Sequence, residues 1–147
     1  MFSKSCEYAI RATLLIANHS CKNQKSGIKE IAEEINSPVA FTAKILQILT
    51  KNKIIKSFKG PTGGFYIEEI SLEKIKLSDI VTAIDGDSVF RGCALGLPQC
   101  SELTPCPVHD RFKHIREELK QMLTKTSLQD LMLGIDHGLT FLKIDTH

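Results

Sequence analysis

Apolar positions at helical spacing open the chain. Over SKSCEYAIRATLLIANHS, Cys6, Ala9, Ile10, Thr13 and Ile16/Ala17 share one side, which predicts an amphipathic helix with a broad apolar face. A polar loop, CKNQKSG, follows. Ile28, Ile31, Ala32 and Ile35 then recur at i, i+3, i+4 and i+7, so a short second helix keeps its acids outward. Asn36-Ser37-Pro38 breaks the pattern. Ser37 can accept a hydrogen bond from a free N–H of the next helix, and Pro38 suits a first helical position, where its missing N–H costs nothing. A third helix is expected from Pro38 to about Lys51, with Thr42, Ile45, Leu46 and Leu49 inward. Two short helices across a tight turn make a helix-turn-helix pattern.

After Asn52-Lys53 the period changes. IIKSF and FYI are β-rich and flank the turn KGPTGG, which predicts a hairpin; directly after a helix-turn-helix, that hairpin is a wing. Ser78 is a candidate N-cap for DIVTAIDG, a short helix closed by Gly86. A long helix is expected from about Val108 to Thr124, with Phe112, Ile115, Leu119 and Met122/Leu123 in one stripe and mixed charges elsewhere. A short helix over SLQDLML should end at Gly134, and nothing in the remaining tail predicts order. The fold class is mainly α: a winged helix-turn-helix domain with a small β-hairpin wing, plus a long C-terminal helix.

Charge sharpens this picture. Residues 1–67 carry ten Lys/Arg against four Glu, a net +6, and residues 68–147 carry nine against thirteen acids, a net −4. The basic half suggests a polyanion-binding surface. No apolar run approaches the roughly 20 residues that span a bilayer, and Glu7 and Arg11 interrupt the first hydrophobic stretch, so a cytoplasmic protein without membrane or signal segments is expected. No nucleotide loop and no Ser/His/Asp arrangement is readable, so an enzyme is not expected; His19, His114, His137 and His147 read as surface histidines.

On the third helix the outward positions are Ala40, Ala43, Lys44, Gln47 and Lys51. Small residues beside an amide and two ammonium groups can approach a DNA groove, Gln reading an adenine edge and Lys a guanine edge or a phosphate. A plain surface helix would look similar. Lys51, Lys53, Lys56 and Lys59 bracket the wing, whose GPTGG turn, including Thr62 and Gly63, lets backbone approach a polyanion. Ser37, Lys59, Thr62 and Gly63 therefore join the candidate DNA contacts, with double-stranded DNA as the partner and no small-molecule substrate.

The remaining chemistry lies in CALGLPQCSELTPCPVHD. Cys93, Cys100, Cys106 and His109 follow C-x6-C-x5-C-x2-H. Zinc knuckles use tighter gaps. A wide loop punctuated by Gly and Pro suits an iron–sulfur cluster, whose ligands surround a larger core, and Pro107 after the last cysteine matches some cluster motifs. A Cys3His zinc site and metal-free redox thiols are the alternatives. His109 and Glu7 are candidates for a fourth ligand, and Cys6 reads as a small buried hydrophobe.

EYAIRA, GPTGGF, LSDIVTAIDG, the three-cysteine loop ending CPVH, and SLQDL occur in an order that resembles the Rrf family of bacterial winged-helix regulators, over residues 1–133. The resemblance implies a homodimer held by the long C-terminal helix, a pseudo-palindromic operator, and a 2Fe–2S or 4Fe–4S cluster on Cys93, Cys100 and Cys106. His109 matches the histidine ligand of IscR-like members, and Glu7 matches the acid that NsrR-like members use, here reaching the partner subunit's loop. Nitric oxide, redox state or iron–sulfur status is the implied signal. Cluster-free CymR-like members, controlled by thiols or a partner protein, lack the triple cysteine. The chain departs from IscR-like members at Ala43 and Lys44, so their operator does not carry over, and its first cysteine gap is one residue longer. The implied organisation is a DNA-binding domain over 1–86, a cluster loop over 87–107, the dimerisation helix and short following helix over 108–133, and a tail over 134–147.

Overall fold

The computed structural model describes residues 2–142. Its helices and strands run in the order α1 (Lys4–Cys21), α2 (Ile28–Glu34), α3 (Val39–Lys51), β1 (Lys56–Phe58), β2 (Gly64–Tyr66), α4 (Leu77–Asp85), α5 (Ser88–Arg91), α6 (His109–Lys125) and α7 (Leu128–Asp136). The mainly helical class and the hairpin wing agree with the sequence. His147 and most of the tail's end lie outside the described residues.

Capping chemistry sets the helix ends. Ser3 caps α1 by accepting from the Cys6 N–H at 3.0 Å. The first three helices end alike, each with a non-glycine residue in the left-handed region: Asn23, Asn36 and Lys53, at φ of 58°, 53° and 61°. After α2, the Asn36 and Ser37 N–H groups donate to the Glu33 and Ala32 carbonyls, at 3.2 and 2.9 Å. That is the Schellman pattern, which satisfies carbonyls left over at a helix end. Ser37 thus closes α2 rather than capping α3. Pro38 is the N-cap of α3, without a side-chain cap bond, and the Ser37 hydroxyl instead accepts from Thr42 Oγ1 at 2.9 Å. Ser78 is likewise not a cap: the N-cap of α4 is Lys76, two residues earlier, whose N–H donates to Asp79 Oδ2 at 2.8 Å. At α7, Ser127 and Asp130 cap reciprocally at 3.1 and 3.0 Å, and the helix continues through Gly134 to Asp136.

The inward faces match the apolar pattern. Ala9, Ile16, Ile31, Ile45, Leu46 and Leu49 lie in the main core, with Ile54 and Ile55 joining them just before the wing instead of extending β1. Leu128 and Met132 of α7 sit in this same core. A smaller core joins Cys6, Leu77, Val81 and Leu123, tying the start of α1 to α4 and α6. Helix α6 buries little else. Phe112, Ile115 and Met122 are exposed, so the predicted stripe faces outward along most of its length. Among the described residues no helix is long and apolar enough to cross a membrane.

The wing pairs Lys56 with Tyr66, Ser57 with Phe65 and Phe58 with Gly64. Its inner strand also bonds Ser26, through Ser26 N–H to Phe65 O at 3.0 Å and Phe65 N–H to Ser26 O at 2.8 Å. The loop before α2 therefore anchors the hairpin.

Candidate DNA interface and metal centre

Of the candidate reading residues, Ala40, Lys44, Gln47 and Lys51 are exposed on α3, Ala43 is half-buried, and Ser37 lies half-buried at the turn before it. Lys59 and Thr62 are exposed at the wing tip. Gly63 has a different reason to be glycine: a Cβ there would collide with the Phe58 carbonyl oxygen, so the hairpin itself excludes a side chain. Lys56 is committed to Glu68 in an ion pair on the hairpin. Lys25 supplies a cation that sequence spacing missed. Its ammonium lies 4.7 Å from the ring centroid of Phe58, which is exposed on the wing.

Helix α1 packs against α3 and the turn before it. Tyr8 packs edge-on against Phe41 of α3, with ring centroids 5.7 Å apart, and Arg11 donates to the Ile35 carbonyl at the turn between α2 and α3. The EYAIRA segment thus has its aromatic and cationic members against the helix-turn-helix. His19 is not a plain surface histidine. Its Nδ1 lies 2.8 Å from the buried Ser26 hydroxyl and 3.6 Å from Glu30.

The loop between α5 and α6 gathers sulfur. The Sγ atoms of Cys93, Cys100 and Cys106 all lie within 4.8 Å of one another, and Cys93 and Cys106 are 3.6 Å apart. His109, the first residue of α6, places Nδ1 3.2 Å from Cys100 Sγ. These side chains line a cavity of about 40 Å³ together with Arg116 and Phe112. Glu7 is not gathered with them in this chain; it pairs with Lys4 at 3.6 Å. Cys6 is fully buried as expected, and burial followed by the nearby Asp85 carboxylate pushes its thiol up to about 12. The Cys93 thiol moves the other way, to about 7, chiefly because the Leu97 and Leu95 amides donate to it.

The donor set fits a thiophilic metal centre. Three thiols and an imidazole suit zinc or iron, whereas hard cations want oxygen. The described residues hold two buried side-chain nitrogens without a hydrogen-bond partner, His109 Nε2 and Arg116 Nε, and both belong to residues lining this cavity. His109 Nε2 stands 3.4 Å from Glu102 Oε1, an ion-pair distance without hydrogen-bond alignment. A guanidinium N–H without a partner, in a residue that lines a sulfur pocket, is what an additional anionic group would satisfy.

Comparison with known proteins matches residues 2–133 to the Rrf2 family, described as iron-dependent transcriptional regulators. A protein of Aquifex aeolicus assigned as an HTH-type transcriptional regulator is 29% identical over 134 residues, spanning 90% of this chain and 91% of its own. CymR of B. subtilis, the global cysteine regulator, shares the fold with TM-score 0.73 at 21% identity, over 90% of this chain and 96% of that one. IscR of T. potens also has TM-score 0.73, at 19% identity, over 96% and 92%. The winged-helix fold and the family match agree: the chain belongs to the Rrf2 family of DNA-binding transcriptional regulators.

Proposed function

We propose that this regulator works as a homodimer on a pseudo-palindromic operator, its affinity governed by an iron–sulfur cluster held by Cys93, Cys100, Cys106 and His109. The observation that carries the reading is the convergence of three thiols and the His109 imidazole on one pocket. Backbone likeness does not choose between a CymR-like and an IscR-like regulator, since both neighbours score alike; the sulfur triad favours the second. His109 Nδ1 supplies the fourth ligand, with Glu7 of a second copy as the alternative. Ala40, Ala43, Lys44, Gln47 and Lys51 enter the major groove, while Ser37, Lys59, Thr62 and Gly63 meet the backbone or minor groove.

When bound, such a cluster supplies a tie among its ligands that nitric oxide, oxidation or iron shortage can break. The chain's own contacts carry the consequence to DNA. The loop leads back through α5 to α4, whose last residue, Asp85, accepts hydrogen bonds from Ser3 at the start of α1. Through Tyr8 and Arg11, α1 bears on Phe41 and Ile35 of the reading unit. A shift at the loop therefore tilts α3, and about 1.4 kcal/mol of differential binding is a tenfold change in affinity.

A zinc site is the second reading, favoured by the 3.6 Å Cys93–Cys106 separation, close to the edge of about 3.8 Å for thiolates on one tetrahedral ion. Anaerobic purification followed by iron, sulfide and zinc analysis separates the two. The cluster reading expects coloured protein whose operator affinity changes with nitric oxide, and a Cys93→Ala variant that has lost both colour and response. A colourless protein with one zinc per chain, or a Cys93→Ala variant that responds like the parent, overturns it.

A further inference from the structure

Ligation accounts for His109, but Arg116 has no role in holding a metal. Its Nη1 donates to the carbonyls of Arg91 and Gly92, at 3.1 and 2.9 Å, just before Cys93. No carboxylate among the described residues pairs with it. Asp87, just before α5, is engaged with Arg91 at 2.9 Å, and Glu102, within the loop, with Lys113 at 2.7 Å. An arginine on a charged helix normally extends its head into water. Here Nε is shut away from solvent and partnerless, in a residue that lines the thiol cavity. Arg116 also follows His109 by seven residues, two turns along the same face of α6.

We infer that Arg116 is the outer-sphere cation of the sulfur pocket: Nη1 clamps the Arg91–Gly92 backbone that carries Cys93, and the Nε–H serves an anionic sulfur, thiolate or inorganic sulfide. This inference rests on the cluster reading and deepens it. Three thiolates leave the pocket negative, and a fixed guanidinium at its wall offsets that charge where burial weakens screening. A hydrogen bond to cluster sulfur stabilises the more negative, reduced state and so raises the reduction potential.

The test compares the full chain, loaded anaerobically, with Arg116→Gln and Arg116→Lys. Arg116→Gln is expected to show a lower midpoint potential and to lose iron to a chelator about tenfold faster, as outer-shell losses commonly do. Arg116→Lys keeps the charge and holds the potential nearer the parent's. Both variants, unloaded, should be cut faster by trypsin after Arg91, because neither side chain restores the donation of Nη1 to the Arg91 and Gly92 carbonyls. A Gln variant with the parent's potential and iron-loss rate overturns the inference while leaving the cluster reading intact. A parent that takes up no iron and sulfide brings down the cluster reading and this inference together.

Discussion

The Cys93 thiol is a small example of backbone deciding side-chain chemistry. Amides of Leu97 and Leu95 hold its pKa at about 7 against the ordinary value of 9, whereas burial raises Cys6 to about 12. Because the shift is downward, the thiolate gains as pH rises through 7. In metal-free protein, alkylation of Cys93 should therefore accelerate across that range while Cys6 stays unmodified, as mass-spectrometric mapping would show. At the wing tip, Lys59 is exposed and free of any ion pair among the described residues, unlike Lys56. Lys59→Ala is expected to weaken binding to every duplex alike and to reduce the salt slope by about one counterion, measurable by anisotropy at several salt concentrations. The spacing C-x6-C-x5-C-x2-H already named all four residues that meet at the pocket. Arg116 was not nameable, since one arginine among the charges of HIREELK carries no local mark; only the packing of α6 on the loop distinguishes it.

Helix ends tell a similar story. The punctuation at Asn36-Ser37-Pro38 correctly marked the turn of the helix-turn-helix, but the residues divide the work differently. Asn36 adopts the left-handed conformation and Ser37 donates its N–H back into α2, so the turn is built by closing the first helix rather than by capping the second. Periodicity locates a buried face well because every turn repeats it; a cap rests on a single residue and competes with its neighbours. At the end of α3, Lys53 takes the left-handed place without glycine's freedom, and the Ile54 N–H completes the motif by donating to Leu49 O at 3.0 Å. Lys53→Gly should stabilise the protein by about 1 kcal/mol, seen as a higher urea midpoint with unchanged slope.

Taken whole, the molecule leaves one long helix incompletely covered. Helix α6 contributes Leu123 to a core, yet Phe112, Ile115 and Met122 face solvent; Ile115 is 56% exposed. This face continues from the sulfur pocket, which Phe112 also lines, so a second copy packed along α6 would lie beside the three cysteines. Ile115→Glu is expected to convert the proposed homodimer to monomer in sedimentation velocity and to lower affinity for a two-half-site operator at least about tenfold. Its helical content should be unaltered, because the side chain leaves both cores untouched.

Apolar period, turn residues and cysteine spacing were enough to mark the helix-turn-helix, the wing, the long helix and the grouping of Cys93, Cys100 and Cys106, because each is written in residues near one another along the chain. Three-dimensional packing settled matters of long reach. It put Leu128 and Met132 of the final helix into the N-terminal core, joined Tyr8 and Arg11 to the helix-turn-helix, and brought Arg116 to the carbonyls before Cys93. These contacts join residues 24 to more than 100 positions apart, and no local periodicity encodes which distant faces will meet; that is set by how the helices bury their apolar stripes together.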